Sequence, residues 1–148
     1  MFKLFNLFKV TKKEIKHSSR GVFKYKNRKP VKMIKGGHGQ SNIKYLLKNK
    51  LPFKINQTFS TGVRGGQIFC HKRKNEHKEN GHVWFPKSWT DKTIKNAGLH
   101  VANLKRNKNV GNHEYMKGKF KGVDVIATKH GRKITGIFPN KDIIDKEK

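Results

Sequence analysis

The sequence predicts an α+β fold. Candidate elements run helix, strands, helix, strands, and the apolar positions change from helical to alternating periodicity between them. Ten Phe, three Tyr and two Trp also supply a core, which a disordered polycation would lack. At 148 residues one domain with a modest core is expected.

Residues 1 to 10 are apolar but broken by Lys3, Asn6 and Lys9, too short to span a bilayer and with no recognisable signal peptide. They read as a hydrophobic edge packing on the body, so no stable membrane insertion is expected. From Thr11 to about Lys35 the chain is lysine-rich and Pro30 interrupts it. The expectation for 1–34 is a basic, partly extended arm. Gly36-Gly37 marks a change, and Ser41 is a plausible N-cap for a helix carrying Ile43, Leu46 and Leu47 up to Pro52. Phe53, Ile55 and Phe59 fit a half-buried strand. A turn at 60–62 leads to a second strand from Val63 to Cys70, with Gly65-Gly66 as a bulge.

Residues 71–81 form a polar, basic loop. Val83-Trp84-Phe85 is a short strand ended by Pro86. Thr90 caps a helix with Asp91 in its first turn and Ile94, Ala97, Val101 and Leu104 on its core face. After a polar connection, Val123, Val125 and Ala127 alternate in one strand and Ile134 to Phe138 form the next, joined by a turn over 129–132. Residues 141–148 are a charged tail.

Thirty-six Lys plus Arg against nine Asp plus Glu give a formal charge of +27. Such a surface repels itself when compact and suits a dense anion: nucleic acid, an anionic membrane or an acidic protein. The nine carboxylates form no D-x-D and no acidic pair at a predicted strand end, so a two-metal nuclease site is not expected. Cys70 is alone, which excludes an intrachain disulfide and a cysteine-based zinc cluster. The spacing of Cys70, His71, His77 and His82 fits no zinc pattern, and lysines surround it. No metal ligand is assigned.

Eight histidines remain. A lone histidine in a basic chain is usually a surface residue. His38 differs because glycines flank it just ahead of a predicted helix, a setting that admits a phosphate to backbone N–H groups. His71 ends a predicted strand and opens the loop His71-Lys72-Arg73-Lys74. Two imidazoles and an ammonium suffice to cleave RNA without metal. One ring takes the 2′-OH proton, the other protonates the leaving 5′ oxygen, and the ammonium neutralises phosphoryl charge.

In order along the chain, Gly36-Gly37-His38-Gly39-Gln40-Ser41-Asn42-Ile43, Gly62-Val63-Arg64 and His71-Lys72 resemble the bacterial EndoU family of RNA-cleaving toxin domains. Trp84-Phe85-Pro86-Lys87-Ser88-Trp89-Thr90, Gly122-Val123-Asp124-Val125 and Ile137-Phe138-Pro139 extend the resemblance over about 35–140. The resemblance implies two antiparallel sheets with helices outside and a basic groove between them. It also implies cleavage leaving a 2′,3′-cyclic phosphate, with Mn2+ stimulation in some members and no required cofactor. The family histidines fall on His38 and His71. The family lysine falls first on Lys72, with Lys78 and Lys87 as rivals and as substrate-binding cations. Thr135 and Phe138 stand near the family's base-contacting Thr/Ser and Tyr. Gly136 and Phe138 hold the matching places, so a hydroxyl is missing. Members are delivered toxins acting in the target-cell cytoplasm and held by an immunity protein, here expected to be acidic. The competing reading is a non-catalytic basic RNA-binding protein.

Overall fold

The computed structural model describes residues 8–142. The expectations for residues 1 to 7 and for the tail beyond residue 142 lie outside the described residues.

Among the described residues the fold is α+β, with three α-helices and three small antiparallel sheets rather than two. The additional sheet comes from the lead-in, which is folded rather than extended. Helix α1 spans Lys12–Ser19, and the Thr11 side chain accepts from the Glu14 N–H at 3.1 Å. Strands β1 (Val22–Lys26) and β2 (Lys29–Lys35) then pair as a hairpin. Its two-residue turn holds Asn27 and Arg28 at φ 51° and 67°, the left-handed geometry that lets twisted strands continue. Pro30, read as a breaker, sits on β2 opposite Tyr25, a position a two-stranded sheet tolerates.

Helix α2 covers Gln40–Lys48, with Gly39 rather than Ser41 at the N-cap. Ser41 instead donates to Asp91 at 3.1 Å. Strands β3 (Phe53–Thr58), β4 (Arg64–Ile68) and β5 (His82–Trp84) form the second sheet. Its register slips between Ile55 and Gln57, opposite Gly66 and Gly65, so the extra residue lies on β3. Helix α3 runs Asp91–Ala102, and the Thr90 hydroxyl accepts from the Thr93 N–H as expected.

The third sheet is a meander of β6 (Met116–Phe120), β7 (Val123–His130) and β8 (Lys133–Pro139). β6 occupies what the sequence presents as a polar connection. Its inward positions are Met116 and Gly118, while Lys117 and Lys119 face out, so only one large apolar residue is fully buried there. Residues 8–10 do pack on the body: Phe8 and Val10 lie against the core, and Lys9 bridges to β8.

Two apolar clusters result. α3 packs Ile94, Ala97 and Val101 onto the meander's Met116, Val125 and Ile137, with Phe85 and Trp89. A second cluster joins Phe23 and Met33 of the hairpin to Ile43, Leu46, Ile68 and Trp84. Burying a side chain of this size is worth about 1.5–3 kcal/mol, so the hairpin is anchored by its inner face. No helix among the described residues is long and apolar enough to cross a membrane.

Candidate active site

A cavity of about 560 Å³ lies where β2, β5, β7 and β8 approach one another. His38, His71, Thr135 and Phe138 all line it; Lys72, Lys78 and Lys87 do not. The three lysines are exposed elsewhere on the loops, and the cations on the cavity wall are Lys35, Arg73 and Lys141. Glu14, Glu76 and Asp142 balance them. Charge in the cavity therefore turns on its histidines.

Backbone contacts fix His38 from two sides. Its N–H donates to the Ser18 carbonyl at 2.6 Å, and its carbonyl accepts from the Phe85 N–H at 2.7 Å. The preceding glycines make this approach possible. Gly36 and Gly37 both have φ of +72°, and a Cβ at Gly36 would stand 2.0 Å from the His17 carbonyl oxygen. At Gly37 it would meet Met33 at 2.2 Å. The glycines thus make room for α1 and β2, not for a phosphate as expected from sequence. The N–H groups of Gly37, His38 and Gly39 are likewise taken by carbonyls of α1.

The His38 Nδ1–H donates to the Val83 carbonyl at 2.8 Å. That bond sets the tautomer and leaves Nε2 with a lone pair and no partner among the described residues. His82 stacks on the His38 ring, centroids 4.8 Å apart at 6°. The His82 ring faces acceptors at both nitrogens: the Gly37 carbonyl and a Glu76 carboxylate oxygen, each at 2.7 Å. A ring donating from both nitrogens is an imidazolium, and Glu76 is its counterion. Burial and then the His82 charge push His38 down to about 3, so it is neutral near pH 7. Glu76 stays below its usual range: burial opposes this, but the His82 hydrogen bond and the surrounding imidazoles outweigh it.

His71 is arranged differently. Its Nδ1 accepts the Arg73 N–H at 2.9 Å, so the proton of the neutral ring sits on Nε2, 4.0 Å from Glu76. A second proton would have to displace that backbone bond. Burial, with Glu76 opposing and His82 reinforcing, lowers it to about 4. The ligand atoms of His71, Glu76 and His82 lie within 4.8 Å of one another, spacing a cation could use. As bonded, however, His71 offers N–H where a metal needs a lone pair, and His82 has both nitrogens committed. The donor set suits an internal ion pair better than a metal.

His17 was passed over in the sequence and lines the same cavity. It is half-buried, and its imidazole has no hydrogen bond among the described residues. Burial and then Lys35 lower its pKa. The signal that would have placed it is Thr11-Lys12-Lys13-Glu14, a capping-box spacing that starts α1. Tyr115 was also missed. Its ring meets Phe138 edge-on at 5.5 Å, and Phe138 lies 5.8 Å from His38. Thr135 is hydrogen-bonded to Thr128 at 3.0 Å beside them.

The cavity therefore brings the imidazoles of His17, His38 and His71 together with the aromatic rings of Tyr115 and Phe138 and the hydroxyls of Thr128 and Thr135. The family model of the bacterial EndoU nuclease matches residues 11–145, taking in α1 and the hairpin as well as the segment that carries the resemblance. No curated protein and no solved structure matches the chain. With the match spanning nearly the whole sequence and both histidine-bearing segments, the chain belongs to the bacterial EndoU nuclease family.

Proposed function

We propose that this nuclease is an endoribonuclease that cleaves by attack of a ribose 2′-OH, leaving a 2′,3′-cyclic phosphate. The observation that carries the reading is His38: a neutral ring, tautomer fixed by Val83, with its free Nε2 on a cavity bearing further imidazoles. It acts as general base. The 2′ oxygen forms a bond to phosphorus as the P–O5′ bond breaks, and the departing oxygen takes a proton from a second histidine.

Both remaining cavity histidines fit that acid role in position. His17 fits it better in bonding, because nothing has to break when its ring gains a proton, whereas His71 would lose the Arg73 bond. A bound phosphate raises the proton affinity of an adjacent imidazole, offsetting the depression in the free protein. Lys35 on the cavity wall takes the charge-neutralising role that the resemblance assigned first to Lys72. Phe138 and Tyr115 offer faces for a base. The same resemblance supports a toxin role, with an acidic immunity protein steered by the positive charge.

The test is cleavage of single-stranded RNA in EDTA with end-group analysis. A 2′,3′-cyclic phosphate terminus is expected. His38→Ala and His17→Ala are expected to lose about 10²–10⁴-fold each with near-UV circular dichroism retained. Intact RNA bound equally well by all variants would assign the chain to the non-catalytic class instead.

A further inference from the structure

We propose that the outward face of the β1–β2 hairpin docks the phosphodiester backbone of single-stranded RNA running beyond the cavity. The proposal rests on the ribonuclease reading and gives it an extended substrate track.

In the hairpin register Lys24 pairs with Lys32 and Lys26 with Lys29. Cross-strand partners share a face and stand about 4.5–5.5 Å apart between Cβ atoms, and like charges there disfavour the sheet. All four lysines are exposed. No ion pair among the described residues involves these lysines, so no carboxylate relieves them. The hairpin holds because its opposite face buries Phe23 and Met33, and because Met33 exchanges backbone bonds with Cys70 and Lys72. A cationic face is thus held rigid against its own repulsion, and an anion laid across it would relieve the strain.

Position identifies the anion. β2 carries Lys29 and Lys32 directly into Lys35 on the cavity wall, three residues before His38. The cavity itself holds as many carboxylates as Lys and Arg, so the positive excess that grips a polyanion lies outside it. Lysine is depleted at the centres of protein interfaces, whereas it binds phosphate as a point charge. The four-lysine face presents no aromatic anchor for a protein partner.

The experiment uses the full chain and a 2′-O-methyl RNA of about twenty nucleotides, longer than an ordinary single-strand site. This RNA lacks the attacking hydroxyl, so binding is read even if the chain proves to cleave nothing. Affinity is measured by anisotropy across a salt series. K24Q/K26Q/K29Q/K32Q is expected to flatten the slope of log affinity against log salt by about 2.8, at about 0.7 per contact. Binding at low salt is expected to weaken at least ten-fold. K92Q/K95Q/K119Q/K121Q removes the same charge from α3, β6 and the turn after it, and is expected to change the slope much less. K24R/K26R/K29R/K32R keeps the charge and is expected to bind like the parent. Equal losses in the two Gln variants would reduce the effect to net charge and overturn the proposal. So would unchanged RNA binding by the hairpin variant, including the case in which it loses only a polyglutamate probe, which would assign the face to an acidic polypeptide.

Discussion

The imidazoles of His82 and His38 lie parallel with centroids 4.8 Å apart, and His82 donates from both nitrogens, to Glu76 and to Gly37. A fixed positive ring therefore faces the proposed base and opposes its protonation. The paired variant His82→Gln with Glu76→Gln removes both charges while keeping hydrogen-bonding side chains of similar size. His38 is then still half-buried, still bonded to Val83, and still near His71, but it has lost the His82 charge that outweighs the opposing Glu76. Its pKa is expected to rise from about 3, moving the acidic limb of the cleavage profile to higher pH. NMR titration of the His38 ring reads the same shift without activity. A ring that titrates where it did before would refute a role for His82 beyond packing.

The depressed imidazoles of His38 and His71 also make stability depend on pH. In the unfolded chain histidine binds a proton below about 6.5, while His38 and His71 in the fold stay neutral down to about 3 and about 4. Between those limits the unfolded state holds more protons, so stability falls as pH falls. Each neutral ring contributes a slope of up to about 1.4 kcal/mol per pH unit in that window. Glu76, lowered in the fold, acts in the same direction at the acidic end. Urea midpoints from pH 7 to pH 4 are expected to decline steadily, and His71→Asn is expected to flatten the decline. A midpoint independent of pH would show that neither ring is held neutral.

Gly36 joins the hairpin to the histidine segment at φ +72°, with the His17 carbonyl where a Cβ would go. Gly36→Ala combines a left-handed residue with a backbone clash. We expect a loss of at least about 2 kcal/mol, or displacement of α1 away from β2. In the second case the melting temperature falls little, but RNA cleavage falls with it, because His17 and His38 separate. Wild-type stability together with wild-type activity would contradict this account of the glycine.

The elements with strong periodicity were legible. Thr90 capping α3, the face Ile94–Ala97–Val101, and the β7 alternation at Val123, Val125 and Ala127 follow directly from spacing. The hairpin was not, because its turn uses Asn27-Arg28 without glycine and its outward face is lysine, which reads as a solvated run. β6 was hidden for a related reason: Gly118 fills an inward position and leaves too few apolar residues to alternate. At the site, His38, Thr135 and Phe138 share the cavity with His71, but sequence could not separate a free imidazole from one locked by a backbone N–H. That difference arises from the loop after Ile68, where the Arg73 N–H turns back onto the ring. No spacing rule encodes it. The lysine assignment failed to reach the cavity because proximity in sequence to His71 does not direct a side chain. Lys72 is spent on the surface, while Lys35 arrives from another sheet.

By the resemblance Phe138 is expected where the family carries a tyrosine, and Tyr115 brings a phenol beside it from β6's leading edge. Phe138 meets His38 on one side and Tyr115 on the other, so in the proposed reaction it is the ring on which a base beside the scissile phosphate would stack. Stacking of one base on an aromatic ring is worth about 1–3 kcal/mol. Phe138→Ala is therefore expected to lower kcat/KM on RNA by roughly ten- to a hundred-fold. Phe138→Tyr retains the ring and is expected to keep that activity. If the hydroxyl reads the base, the tyrosine variant will also change the ratio of rates on uridine and cytidine substrates. Tyr115→Phe separates the two hydroxyl sources, because it removes the native phenol and keeps the edge-on contact. A Phe138→Ala enzyme as active as the parent would leave the aromatic wall a packing feature and return base recognition to Thr128 and Thr135.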